Sequence, residues 1–171
     1  AANEIRSSEP LYQTSLEIKL KEYGSDHPSV ADTLNSFAML HFAKGSFATC
    51  KVYYNKALDI RERYLGNEHP AVAQTLNSLA GVLQLDGEFV DAERMYKQVI
   101  SIRQKTLGDF HPDYASALNN LGLLFKSRGK YTDARDLYQR AMRIQEYNYG
   151  SMHPDLAATL NNLAALYFSE G

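Results

Sequence analysis

Tyr64-Leu65-Gly66-Asn67-Glu68-His69-Pro70, followed after four further residues by Thr75-Leu76-Asn77-Ser78-Leu79-Ala80, decides the fold of this chain. A glycine three residues before a His-Pro pair reads as a helix exit followed by a helix entry. Glycine tolerates the left-handed backbone of an exit. Proline suits the first helical position, where its missing N–H would be unpaired in any case. The same stretch recurs outward in both directions. His-Pro pairs stand at His27-Pro28, His69-Pro70, His111-Pro112 and His153-Pro154, in steps of 42 residues without slippage. Gly24, Gly66, Gly108 and Gly150 precede them, Asn35, Asn77, Asn119 and Asn161 follow them, and Gly45, Gly87, Gly129 and Gly171 close each segment. An internal period of this kind is the signature of a stacked-repeat architecture.

Each repeat reads as two helices. Helix A runs from His-Pro to the second glycine, with Val30, Ala31, Leu34, Phe37, Ala38 and His41 on one face of a 3.6-residue helix. Helix B carries Phe47, Cys50, Tyr54, Ala57 and Leu58 at three- and four-residue spacing, then ends at Gly66. Its counterparts are Phe89, Ala92, Tyr96, Val99 and Ile100, then Tyr131, Ala134, Tyr138, Ala141 and Met142. Small residues align at Ala38, Ala80, Gly122 and Ala164, and at Cys50, Ala92 and Ala134, where helices must approach closely. The spacing predicts an all-α stack of antiparallel hairpins, with about eight helices in the order B, three A–B pairs, A.

Residues 1–9 read as an extension with partial disorder, 10–26 as a lone helix B, and 27–68, 69–110 and 111–152 as full repeats. Residues 153–171 read as a helix A without its partner, which leaves Leu160, Leu163 and Tyr167 exposed or covered by a neighbouring chain. With no initiating Met and a start in mid-repeat, a natural protein that continues at both ends is expected.

The 171 residues hold 18 Lys and Arg against 20 Asp and Glu, a formal net charge of -2. That balance lacks the basic footprint that phosphate backbones demand, so nucleic acid is not an expected partner. No apolar run reaches the ~20 residues of a membrane span, nor does the start resemble a signal peptide. A single cysteine, Cys50, permits no internal disulfide. A cytoplasmic, reducing location is therefore expected.

The Leu-Gly-x-x-His-Pro linkers, with Thr-Leu-Asn-x-Leu-Ala on helix A, resemble tetratricopeptide repeats of the kinesin light chain-like 42-residue subclass. The resemblance covers roughly residues 10–171. It implies an all-α, right-handed superhelical solenoid with a concave groove lined by A helices, and a role as a scaffold or adaptor that holds a peptide or protein segment there. The groove positions then fall on a second helix A stripe: Asp32, Asn35, Met39 and Phe42; Gln74, Asn77, Gly81 and Gln84; Ser116, Asn119, Leu123 and Lys126; Ala158, Asn161, Ala165 and Phe168. The asparagine column offers amides that can bracket a peptide backbone, or can equally satisfy neighbouring helices within the stack.

Tetratricopeptide co-chaperones grip a terminal carboxylate with basic residues on the first helix. The matching positions, Asp32, Gln74, Ser116 and Ala158 with Ser36, Ser78, Asn120 and Asn162, carry no base. Only Lys126 sits squarely on the stripe, with Lys44 and Arg128 near the helix ends, so an acidic ligand is not favoured.

The remaining conspicuous residues read plainly. The linker histidines stand one per repeat, too dispersed for a metal site. His41 replaces an aromatic residue, Cys50 a core alanine, and Arg61-Glu62-Arg63 reads as a solvated face. No catalytic constellation, metal site or cofactor site is expected. The alternative to a peptide-binding scaffold is an architectural spacer that self-associates through its terminal helices.

Overall fold

The computed structural model describes residues 2–170, with side chains for residues 8–169. Eight helices and no strand occur among the described residues: α1 (Ala2–Tyr23), α2 (Pro28–Ala43), α3 (Phe47–Leu65), α4 (Pro70–Leu85), α5 (Phe89–Leu107), α6 (Pro112–Ser127), α7 (Tyr131–Tyr149) and α8 (Pro154–Glu170). Even-numbered helices are the A helices of the sequence repeat and odd-numbered ones the B helices. Helix α1 takes in residues 2–9, set aside above as an extension, with Pro10 inside it.

The His-Pro linker has a specific job. His27, His69 and His111 are N-caps with extended backbones, and each ring Nδ1 accepts from the N–H two residues on, at 3.1–3.2 Å. His153 does the same for Asp155 at 3.2 Å. Neutral imidazole thus replaces the oxygen of a Ser or Asp cap, and proline follows at the first helical position. Gly66 leaves α3 with φ +84, a conformation in which any side chain is strained.

The chain forms two compact units, Ala1–Glu88 and Phe89–Gly171. Unit 1 packs α1 on α2, α2 on α3 and α3 on α4; unit 2 packs α5 on α6, α6 on α7 and α7 on α8. Val30, Ala31, Leu34, Ala57 and Ile60 form a buried cluster in unit 1, flanked by Leu16 and Tyr53. The unit 2 cluster is Tyr114, Ala115, Leu118, Ala141 and Ile144, flanked by Ile100 and Leu137, the same seven positions two repeats later. Burying such side chains stabilises each unit by roughly 1.5–3 kcal/mol apiece, before chain entropy is subtracted.

The small-residue columns are buried as expected at every position but Ala164, which is exposed on α8, the last helix of the chain. Cys50, Ala92 and Ala134 are fully enclosed. A Cβ added to Gly122 would lie 2.7 Å from Cε1 of the buried Tyr138 ring. His41 stacks on Tyr53 with ring centroids 5.4 Å apart, in keeping with an aromatic substitute.

Charged residues link the first part of three B helices, α1, α3 and α5, to the end of the helix A that follows. Glu9 meets Lys44 at 2.6 Å and Glu93 meets Arg128 at 2.6 Å. Between them in sequence the polarity inverts: Lys51 meets Asp86 at 2.5 Å and also binds Glu88. Like charges would face each other if one repeat took another's place.

Two sequence expectations need correction. Leu163 is buried, because the apolar face of α8 that meets α7 includes it along with Leu156 and Leu166; only Leu160 and Tyr167 of the expected set are exposed. Arg61 is also buried, at 5% exposure, and is no part of a solvated face. Helical spacing from Ala57 and Leu58 carries it inward, and its partners there supply what water would.

Candidate functional site

The second stripe of the A helices faces solvent in both units, although its residues are not equally open. In unit 1, Met39 is 64% exposed and Phe42 is also exposed, as are Asp32 and Gln74, while Asn35, Asn77, Gly81 and Gln84 are half-buried. In unit 2, Ser116 and Leu123 of α6 are exposed, Asn119 and Lys126 are half-buried, and Ala158, Asn161, Ala165 and Phe168 of α8 are exposed. Phe42 leans on Phe47, ring centroids 5.8 Å apart, which holds its outer face toward solvent.

Asn35 and Asn119 of the stripe have internal duties. Asn35 lies against Arg61 and Thr75. Turned so that its oxygen meets the donor-only guanidinium, its amide accepts from Nη1 and Nη2 at 3.0 and 3.1 Å. Asn119 donates from Nδ2 to the Thr159 hydroxyl at 2.5 Å, while its amide oxygen is buried without a hydrogen-bond partner. These contacts join α2 to α3 and α6 to α8, so at Asn35 and Asn119 the amide stabilises the stack.

Arg61 is the site residue that sequence reasoning missed. It leaves helix B, passes between the A helices and ends beneath the stripe. Its Nη1 donates to the Ala71 carbonyl and the Thr75 hydroxyl, both at 2.7 Å, and its Nη2 to Asp32 Oδ1 at 2.6 Å. The signal was available in the period, since Lys19, Arg61 and Arg103 share a column. Lys19 donates to the Ser29 carbonyl at 3.1 Å and Arg103 to the Asp113 carbonyl at 2.7 Å. Each ties a helix B to the first turn of the helix A that follows.

The two cations near the helix ends are engaged. Lys44 and Arg128 are held by Glu9 and Glu93. Lys44 holds the Glu9 carboxyl below its usual range, chiefly by its hydrogen bond. The thiol of Cys50 is pushed up to about 11 by burial, which suppresses the reactive thiolate. No group of three or more potential metal ligands occurs among the described residues, and no helix there is long and apolar enough to cross a membrane.

Hairpins of this length, capped by His-Pro and packed through small-residue columns, define a tetratricopeptide repeat protein. The chain belongs to the tetratricopeptide repeat family, whose model matches residues 31–105, 72–146 and 115–171. Among solved structures it is similar to BtubC (BKLC) from P. vanneervenii, at 29% identity and a TM-score of 0.88, over 98% of this chain and 67% of that one. It also resembles a Podosopora anserina protein of the kinesin light chain type with nearly identical TPR-like repeats, at 25% identity and a TM-score of 0.84, over 99% of this chain and 81% of that one. The Sgt2 TPR domain from Aspergillus fumigatus shares the fold at 20% identity and a TM-score of 0.61, over 82% of this chain and 78% of that one. No curated protein matches the chain. The neighbours include kinesin light chain-like repeats, the subclass to which the 42-residue period pointed.

Proposed function

We propose that the chain is an adaptor module that binds a peptide or protein segment on the helix A faces of its units. Tetratricopeptide repeats are in general protein-interaction scaffolds. The observation that carries the reading is the exposure of Met39 and Phe42 on the α2 stripe, where neither fills the core. Large apolar side chains grouped in solvent mark interaction surfaces more often than isolated ones do. Gln74, Asn77 and Gln84 of α4 add amides to the helix A face of unit 1, and Asn161 of α8 adds one to that of unit 2, suited to the backbone of an extended ligand. Leu123 and Lys126 hold the matching positions of unit 2. Asn35 braces the face of its own unit against Arg61, and Asn119 that of its own unit against Thr159. A cytoplasmic location agrees with a lone, buried cysteine.

A random peptide library retained on the wild-type chain tests this. Met39→Glu should weaken the retained peptides roughly tenfold or more, since burying an unpaired charge against an apolar ligand is costly, while helicity by circular dichroism is unchanged. Equal retention by both proteins, or no retention by the wild type, would move the function to the architectural alternative.

A further inference from the structure

Asp32 stands on the solvent side of a buried cation. The Ala71 carbonyl, the Thr75 hydroxyl and the Asn35 amide meet the Arg61 guanidinium from within unit 1. Asp32 meets it from outside, with 61% of its own side chain open to water against 6% for Arg61. A ligand carboxylate arriving at the stripe would seek the same Nη2 donor, because the planar fork of arginine matches a carboxylate better than any other partner.

We propose that Asp32 is a built-in competitor at this anion position and sets the specificity of the unit 1 face. With Arg61 already satisfied, that face takes uncharged or basic segments and rejects acidic ones. The inference rests on the reading of the α2 stripe as a ligand surface. Met39 lies seven residues beyond Asp32, two turns along the same stripe, so a segment seated on Met39 and Phe42 passes the carboxylate. Its own charge repels an acidic ligand, and its occupancy removes the cation that would attract one. In unit 2 the equivalent pair is Ser116 and Gln145, neither charged, so this discrimination belongs to unit 1.

Fluorescence anisotropy of labelled hexaglutamate and hexaserine on the full chain tests the assignment. The wild type should not favour hexaglutamate. Asp32→Ala should raise hexaglutamate affinity roughly tenfold at low salt, as one charge-assisted pair becomes available, and leave hexaserine unchanged. Raising salt to about 0.5 M should erase the gain. Asp59→Ala removes the same charge from an exposed site paired to Arg63 and should have no such effect. No gain from Asp32→Ala, an equal gain from Asp59→Ala, or a wild type that already prefers hexaglutamate would overturn the proposal. Failure of the ligand-face reading is separate: it would appear as selected peptides indifferent to Met39→Glu, whatever hexaglutamate does.

Discussion

Unit 1 and unit 2 carry the same four-helix arrangement 84 residues apart, and they join their helices through the same positions with different chemistry. In unit 1, Arg61 donates to Thr75, and Asp32 and Asn35 close the network around it. In unit 2, Gln145 replaces the arginine and the direction reverses: Asn119 donates to Thr159, and Thr159 donates to Gln145 Oε1 at 2.6 Å. A threonine hydroxyl can give or take a proton, so one residue type serves both networks. Val30 in the first cluster becomes Tyr114 in the second, with its hydroxyl 2.6 Å from Arg140 Nη2. A repeat position therefore specifies a contact more tightly than it specifies a residue.

The largest test of this comparison is removal of the polar hub. Arg61→Ala should cost about 3 kcal/mol, since it breaks a buried ionic network and leaves space behind. Gln145→Ala should cost about 1–2 kcal/mol, a neutral hydrogen bond with fewer buried partners. Urea unfolding of each variant measures both. Equal losses would mean that the charge in unit 1 adds nothing. The transplant Asp32→Ser with Arg61→Gln should recover part of the Arg61→Ala loss by giving unit 1 the chemistry of unit 2.

Gly122 and Ala38 mark a second difference. Alanine at 122 gains about 1 kcal/mol of helix propensity but drives a Cβ into the Tyr138 ring, at about 1–3 kcal/mol. A net loss of about 1 kcal/mol is expected by thermal unfolding. In a Tyr138→Leu background the same substitution should stabilise instead, because the ring atoms it meets are gone.

The smallest effect concerns Tyr138 itself. Burial pushes its hydroxyl up to about 12, and the hydroxyl has no hydrogen-bond partner. Burial also raises Tyr54 in unit 1, where a hydrogen bond with Ser78 acts the other way. A folded-state value above the unfolded one gives stability that is complete below about pH 10 and is lost as pH rises toward 12. Tyr138→Phe should be almost neutral at pH 7. Its unfolding midpoint should fall less steeply than that of the wild type between about pH 10 and 12. A parallel fall would show that Tyr138 does not titrate with unfolding.

Much of this architecture was legible before any coordinates. The 42-residue step, the glycine and His-Pro columns and the 3.6-residue faces set the number, order and core sides of the helices. The stripe from Asp32 to Phe42 was legible too, because one helix face fixes the other. Arg61 was not. A charged residue beside Glu62 and Arg63 looks solvated until the carbonyl of Ala71 and the hydroxyl of Thr75 are seen within 2.7 Å.

Sequence alone determined the repeat, since periodic local signals (a cap, a helix stop, an apolar face) each act within a few residues. Tertiary structure decided which polar groups satisfy one another: whether Asn35 faces a ligand or Arg61, whether Leu163 is covered, and which way a threonine proton points. The polar contacts among them join residues 14 to 40 positions apart across packed helices. Their energies depend on distance and burial, which no local pattern encodes.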